Sequence, residues 1–459
     1  MCHFNIKHCI VLFLFTCLIT TSCKKAIEVD PPINQIVSSE VFKNDSTAKS
    51  AVLGIYSEMM RTQAQFCAGQ TTLYAGMSAN ELYFYSPDIR REFVDNEISN
   101  VNHLILANVF WNPAYKHIYT TNLCLERLAG SNITPSLKAC LRGEALFLRV
   151  FCYFHLVNLF GDVPLILTTD YEKNARMPRT PESEVYEQMV TDLTEAAEIL
   201  PSAYESGTRA RVTKWAAKAL LARVYLYLKR WDNAEAMASE VINAGLFTLP
   251  ALTEVFLKTS SETILQLQPV NSVWNTWEGR DILPASANET PKYVLTDRMF
   301  QSFETNDNRK TVWVGSRVFN GQAVQYPAKY RVYGSGAPLT EYYIVLRLAE
   351  QYLIRAEART HKLDLGGGLT DLNRIRQRAG LAATAANDTS ALLNLLEQER
   401  QAELFSEWGH RWYDLKRTGR VNAVMQIINP STWQSTDALY PIPSGEILLN
   451  PSLIQNAGY

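Results

Sequence analysis

The stretch Arg211 to Asn243, RVTKWAAKALLARVYLYLKRWDNAEAMASEVIN, decides how the chain is built. Leu221, Val224, Tyr225 and Leu228 stand at i, i+3, i+4 and i+7, so they share one face of a helix. Trp215, Ala219, Ala222 and Leu226 form a second apolar stripe, and a helix apolar on two sides is covered on two sides. A polar break around Lys229-Arg230 and Asp232-Asn233 separates it from a second, Ala-rich helix that runs to Asn243. Small Ala222 and Ala234 allow a close approach of the two, with Tyr225 and Trp231 expected to fill the gap between them.

Leu221, Ala222, Tyr225, Trp231 and Ala234 have the spacing of a tetratricopeptide helix pair, whereas Ala238 and Val241 fit it less well. One pair cannot bury its own apolar face, so partner pairs are required elsewhere in the chain. Helical spacing supplies three more: 46–61 with 112–129, 137–160 with 182–200, and 342–361 with 369–378. The largely apolar run Leu141 to Phe160 carries Arg142, Glu144 and Arg149, which marks a buried bundle helix and not a membrane span. Leu392 to Trp408 reads as the last long helix, and Gly366-Gly367-Gly368 as a flexible turn between helices. Two long segments, 63–111 and 247–341, lose the helical period and carry scattered aromatics. The expectation is a mainly α fold, a scaffold of four tetratricopeptide-like pairs with loop-rich insertions packed on it.

The 459 residues are 47% hydrophobic and 20% charged, with a net charge of −2, so no basic surface for nucleic acid is expected. Lys7 and His8 precede an apolar run, Cys9 to Ile19, too short for a comfortable membrane span. It leads into Leu18-Ile19-Thr20-Thr21-Ser22-Cys23, which resembles a bacterial lipoprotein signal cleaved before Cys23, with Thr20 where Leu is usual. Residues 1–22 are then a signal peptide, Cys23 is lipidated, 23–39 form a tether, and 40–459 a single domain. Cys67, Cys124, Cys140 and Cys152 remain in the mature fold. Cys140 and Cys152 lie about 18 Å apart along one helix and cannot bridge each other, so all four read as small core residues.

Further matches extend over essentially the whole mature chain. The run Arg142-Gly143-Glu144-Ala145-Leu146-Phe147-Leu148-Arg149 through Phe160-Gly161-Asp162-Val163-Pro164-Leu165 resembles the signature helix of SusD/RagB lipoproteins. Arg347-Leu348-Ala349-Glu350, Asn373-Arg374-Ile375-Arg376-Gln377-Arg378-Ala379-Gly380, and Glu399-Arg400 with Glu403-Leu404 also follow that family's pattern. So does the ending Tyr440-Pro441-Ile442-Pro443 to Gln455-Asn456-Ala457-Gly458-Tyr459, with Ala457 where Pro is usual. The resemblance implies a surface lipoprotein of the Bacteroidetes outer membrane. It implies a nutrient-capturing lid for a SusC-like TonB-dependent transporter, with an oligosaccharide, or in some members a peptide, as ligand.

Candidate chemistry divides into two groups. Glu399, Glu403 and Glu407, at i, i+4 and i+8, would line one helix face and repel each other unless cations oppose them. A catalytic carboxylate pair of the glycosidase kind competes here with an ion-pair network to Arg374, Arg376, Arg378 and Arg411, and the network is the reading adopted. The five histidines beyond the signal peptide show no ligand spacing, and HExxH, GxSxG and GxGxxG are absent from the sequence, so no metal, cofactor or enzyme is expected. The second group is aromatic. Tyr83 and Tyr85 follow Asn80-Glu81, and Trp274 and Trp277 precede Arg280. Apolar sugar faces stack on such rings while Asn, Glu and Arg bond hydroxyls. An exposed platform of Trp274, Trp277, Tyr83 and Tyr85, with hydrogen bonds from Asn80, Glu81 and Arg280, is the expected ligand site. The competing reading is that the rings pin long loops to the scaffold. Period-2 spacing of Tyr83 and Tyr85 also fits a strand with one buried face. Capture of an oligosaccharide is set against capture of a peptide and against a scaffold without a ligand site. Trp313, Tyr330 and Tyr333 are the reserve position for the platform.

Overall fold

The computed structural model describes residues 38–100, 104–205, 207–270, 274–286, 289–319 and 321–459. Among these, nine helices of 13 or more residues form the scaffold: α1 (Asp45–Arg61), α2 (Asn112–Ala129), α3 (Pro135–Phe160), α4 (Glu182–Ile199), α5 (Lys214–Tyr227), α6 (Trp231–Asn243), α7 (Leu348–His361), α8 (Leu365–Arg378) and α9 (Thr389–Leu404). Each packs on the next in order from α1 to α8, and α9 lies across α7 and α8. The four expected pairs are therefore present. α3 is the axis: from Gly143 to Phe160 its residues are buried on every side, which explains its apolar composition without a membrane. Ala222 and Ala234 are fully buried between α5 and α6. Trp231 does not fill that gap; its indole stacks on His361 of α7 at 3.9 Å and 8°.

Three two-stranded antiparallel ladders complete the described fold. β1 (Leu82–Phe84) pairs with β3 (Tyr293–Leu295), β2 (Thr263–Leu267) with β6 (Tyr343–Arg347), and β4 (Val314–Phe319) with β5 (Gln322–Pro327). β6 corrects the expectation of a helix from Tyr342. Its five residues are all buried, pair with β2, and hand over to α7 at Leu348. The glycine run is also corrected. Gly366 to Gly368 lie inside α8, whose start is capped by the Asp364 carboxylate accepting from the Gly367 amide at 2.9 Å. A Cβ on Gly368 would come within 2.6 Å of the Thr360 hydroxyl and 3.1 Å of the Ala356 carbonyl, so the run permits α7 and α8 to touch.

The last long helix ends at Leu404, four residues short of the expected Trp408, because Ser406 and Trp408 adopt left-handed backbone conformations. Glu407 therefore leaves the helix face, yet its carboxylate still joins Glu403 through shared cations. Arg347 reaches Glu403 at 2.6 Å, Glu407 at 2.8 Å and Glu262 at 2.8 Å. Arg309 joins Glu399 at 2.6 Å and Glu403 at 3.1 Å, Arg376 reaches Glu399 at 3.4 Å, and Arg378 pairs with Glu403 and Glu262. Lys329 pairs with Glu407. The expected network exists, with different membership: Arg374 is exposed, and Arg411 pairs with Glu397. Arg309 and Lys329 come from the 247–341 segment, so the network rivets that segment to the scaffold. Cys67, Cys124, Cys140 and Cys152 are free thiols, three of them buried. Cys23 and its preceding signal lie outside the described residues.

Candidate functional site

The expected ligand residues resolve into two aromatic clusters and one buried group. In β1, Leu82 and Phe84 face the core, and the period of two places Tyr83 and Tyr85 on the opposite face. The strand reading holds, and of the two rings Tyr85 is exposed while Tyr83 is half-buried against the core. Tyr85 is 43% exposed, meets the Tyr83 ring edge-on at 5.3 Å, and lies 6.0 Å from the ring of Phe319, itself 37% exposed. The Arg91 guanidinium covers Tyr83 at 4.4 Å. Phe319 was missed in the sequence. Its signal is the Asn320-Gly321 dipeptide after an alternating run, which marks a two-residue hairpin, and the β4–β5 register closes on Phe319 and Gln322.

The second cluster is built on a short helix, Trp277–Ile282, capped by Thr276, whose hydroxyl accepts from the Gly279 amide at 2.9 Å. Trp274 and Trp277 are half-buried, and the Arg280 guanidinium lies 5.4 Å and 5.7 Å from their rings. Tyr333 meets Trp274 edge-on at 5.7 Å. The Trp277 indole donates to the Met60 carbonyl at 2.9 Å, so this ring also pins the segment to α1. Arg280 is engaged by Gln63 and Asp281. The space beside the indoles is about 10 Å³, roughly one water. A ligand here would lie on the rings and not inside a pocket. No ring contact or hydrogen bond among the described residues joins the two clusters, so they are separate patches and not one continuous platform.

Glu81 is a correction. Its carboxylate is 2% exposed and accepts from the Ser406 amide at 3.3 Å, while its second oxygen has no partner. Burial pushes its pKa up to about 7. It faces the turn after α9 and is withdrawn from any ligand. Asn80 occupies a left-handed turn position, and its carbonyl accepts from the Thr296 hydroxyl at 2.7 Å. The reserve position fails as a unit: Trp313 and Tyr330 are core, the Trp313 indole bonding the Leu252 carbonyl at 2.9 Å, and only Tyr333 reaches a candidate patch. Asn275 is likewise internal, its amide oxygen accepting from the amides of Thr340 and Glu341 at 2.7 and 2.8 Å.

Next to Trp277 in the same short helix is a second buried carboxylate, Glu278, pushed up to about 8 by burial against the opposing pull of the Thr72 and Tyr343 hydroxyls. Gly69, in a left-handed conformation, lies so close that a Cβ there would be 3.2 Å from the Glu278 backbone nitrogen and Cβ. This contact seats the Trp277 helix on the 63–111 segment.

Comparison with known proteins gives a consistent result. Residues 34–226 match a SusD-like family profile described as "Starch-binding associating with outer membrane", and residues 274–459 match the SusD family profile. A SusD-like protein of Formosa agariphila is 27% identical over 98% of this chain and 99% of its own length. The starch-binding protein SusD of Bacteroides thetaiotaomicron is 22% identical over 77% of this chain and 81% of its own. The crystal structure of a SusD-like protein from Bacteroides fragilis superposes with a TM-score of 0.78 at 25% identity, covering 94% of this chain and all of that one. A laminarin-binding SusD-like protein gives a TM-score of 0.75 at 24% identity, over 91% of this chain and all of that one.

Proposed function

The chain belongs to the SusD/RagB family, and from that premise we propose that it is a non-catalytic receptor that captures an oligosaccharide at the cell surface. It then passes the sugar to a SusC-like TonB-dependent transporter in the outer membrane. The observation that carries the reading is the exposed pair Tyr85 and Phe319, two rings in contact on a surface whose other large aromatics are mostly buried. The half-buried indoles of Trp274 and Trp277 offer a second stacking edge, with Arg280 beside them and Asn80 near the first. Starch and laminarin, named for two relatives, are both glucose polymers with apolar ring faces of the kind such patches bind.

Calorimetric titration with maltooligosaccharides and laminarin fragments tests the proposal. Tyr85→Ala and Phe319→Ala are each expected to weaken binding by about 1–3 kcal/mol, taking base stacking as an analogue, with an unchanged melting temperature. Trp277→Ala should weaken binding and also lower the melting temperature, because its bond to Met60 is lost. If none of the three moves the affinity of a sugar that binds, the ligand surface lies elsewhere. Binding of peptides instead of sugars would move the receptor to the alternative ligand class.

Membrane attachment is proposed to run through lipid on Cys23, since several acyl chains at about 0.8 kcal/mol per buried methylene exceed what stable anchoring needs. Cys23→Ser is expected to shift the protein from the membrane fraction to the soluble fraction. Retention of the variant on the membrane would refute the anchor.

A further inference from the structure

We propose that the helical scaffold carries a second ligand site, for a carboxylate-bearing molecule with an apolar body, in a groove between α9 and the α5–α6 turn. The groove holds about 500 Å³, within the range of small-molecule sites. Ser390, Leu393, Asn394, Glu397 and Arg400 line it from one face of α9, a run of about 15 Å at the helical rise. The stacked rings of Trp231 and His361 stand on the other side, with Leu226 and Leu396 adding apolar surface.

Charge decides the ligand class. Three carboxylates line the groove, and each is already engaged. Glu357 takes Arg417 at 2.6 Å, Asp414 takes Arg400 at 2.8 Å and Arg417 at 2.6 Å, and Glu397 takes Arg411 at 2.9 Å and Arg420 at 2.8 Å. Four cationic side chains line it: Lys229, Arg400, Arg417 and Arg420. The surplus is therefore in donors. Arg400 is 3% exposed, and its Nη1 is buried without a hydrogen bond, although Nε and Nη2 are satisfied by Asp414. Lys229 is exposed at the rim and carries no ion pair among the described residues. Burial lowers the pKa of His361, so its ring is neutral near pH 7 and adds no charge to the wall. Nη1 of Arg400 is sealed behind the groove wall and adds to its positive field, and the exposed Lys229 ammonium is the donor that an anionic oxygen reaches. The leucines and the Trp231 ring then accommodate the rest of the molecule.

The probes are 4-phenylbutyrate and its uncharged amide, which share one apolar body and differ in charge. With the full mature chain, ligand-detected NMR is expected to show the acid binding about tenfold or more tightly than the amide. Leu393→Trp, which fills the groove without touching an ion pair, should abolish binding of the acid while leaving the melting temperature and oligosaccharide affinity unchanged. Lys229→Gln should weaken the acid several-fold and leave the amide unaffected. Absence of binding by the acid, equal affinity of acid and amide, or wild-type binding by Leu393→Trp would each overturn the proposal and leave the groove a solvent channel. Loss of sugar binding in the aromatic-ring variants would not affect these results, so the two sites fail independently.

Discussion

Arg347→Met is expected to cost about 3–5 kcal/mol in stability, enough to leave a large unfolded fraction in a domain of ordinary stability. Arg347 is 2% exposed and spends its guanidinium on three carboxylates and the Glu403 carbonyl, the last at 2.8 Å. Removing it leaves Glu407 with Lys329 alone, Glu262 with Arg378 alone, and Glu403 with only part of its positive surroundings. Burial opposes ionisation of Glu403, but the guanidiniums of Arg378, Arg347 and Arg309 hold its pKa well below the ordinary carboxylate range. Fewer of them means a buried charge without compensation. The control is Arg142→Met, whose pair with Glu195 is more than a third exposed at both ends and should contribute at most about 1 kcal/mol. Urea denaturation of both variants reads the contrast. A loss below about 1 kcal/mol for Arg347→Met would mean that the network contributes no more than a surface pair.

The share of stability that depends on two buried carboxyl groups should also fall as pH rises through the neutral range. Glu278 is raised from 4.5 to about 8 and Glu81 to about 7, both by burial. Each folded-state pKa lies above its unfolded value, so between about pH 4.5 and 8 the native state binds more protons than the unfolded chain. The contribution of these two groups to the slope of stability against pH is negative across that window, while His117, His155 and His410, whose pKa values burial lowers, contribute the opposite sign below about pH 6.5. The cost of ionising them grows from nothing below the unfolded pKa to a plateau above the folded one, on the order of 5 kcal/mol for Glu278 alone. Glu278→Gln keeps the shape, cannot ionise, and should remove the Glu278 share, so that wild-type stability falls relative to that of the variant as pH rises. Urea midpoints at about pH 5, 6.5 and 8 for both proteins measure it. Parallel wild-type and variant profiles would show that Glu278 is ionised in the fold at no cost. At low pH the opposite sign takes over, because Asp414 is held below its ordinary range, with the guanidiniums of Arg400 and Arg417 overcoming its burial. That contribution is lost as pH falls.

The scaffold was legible because its signals are local. The stripes of α5 and the small residues at its contact with α6 sit within one 33-residue window. What failed depended on distant partners. Tyr342 to Leu346 is a short apolar run that periodicity alone cannot assign, and the β2 strand that makes it β6 lies about eighty residues earlier. Glu407 kept helical spacing on paper, but the left-handed backbone at Ser406 and Trp408 is fixed by contacts such as the Trp408 amide to the Thr72 hydroxyl at 3.0 Å. Glu81 beside two tyrosines looked like part of a sugar site. Its burial is set by Ser406, which no local pattern connects to it. Tyr85 was legible from its period of two, whereas its ring partner Phe319 arrives on a separate hairpin.

The β1–β3 ladder has a bearing on biosynthesis. Three residue pairs join Leu82–Phe84 to Tyr293–Leu295 across roughly two hundred residues of chain. A ribosome delivers Tyr83 and Tyr85 long before the strand that holds them, while α2 to α6 make most of their contacts with near neighbours in the order of synthesis. Local contacts form quickly and distant closures slowly, so the helices fold first and the aromatic surface is assembled last. A chain interrupted between Asn243 and Tyr293 would then carry α1 to α6 but lack the strand that pairs with β1. Ligand capture at the proposed aromatic surface would report that translation had passed the β4–β5 hairpin.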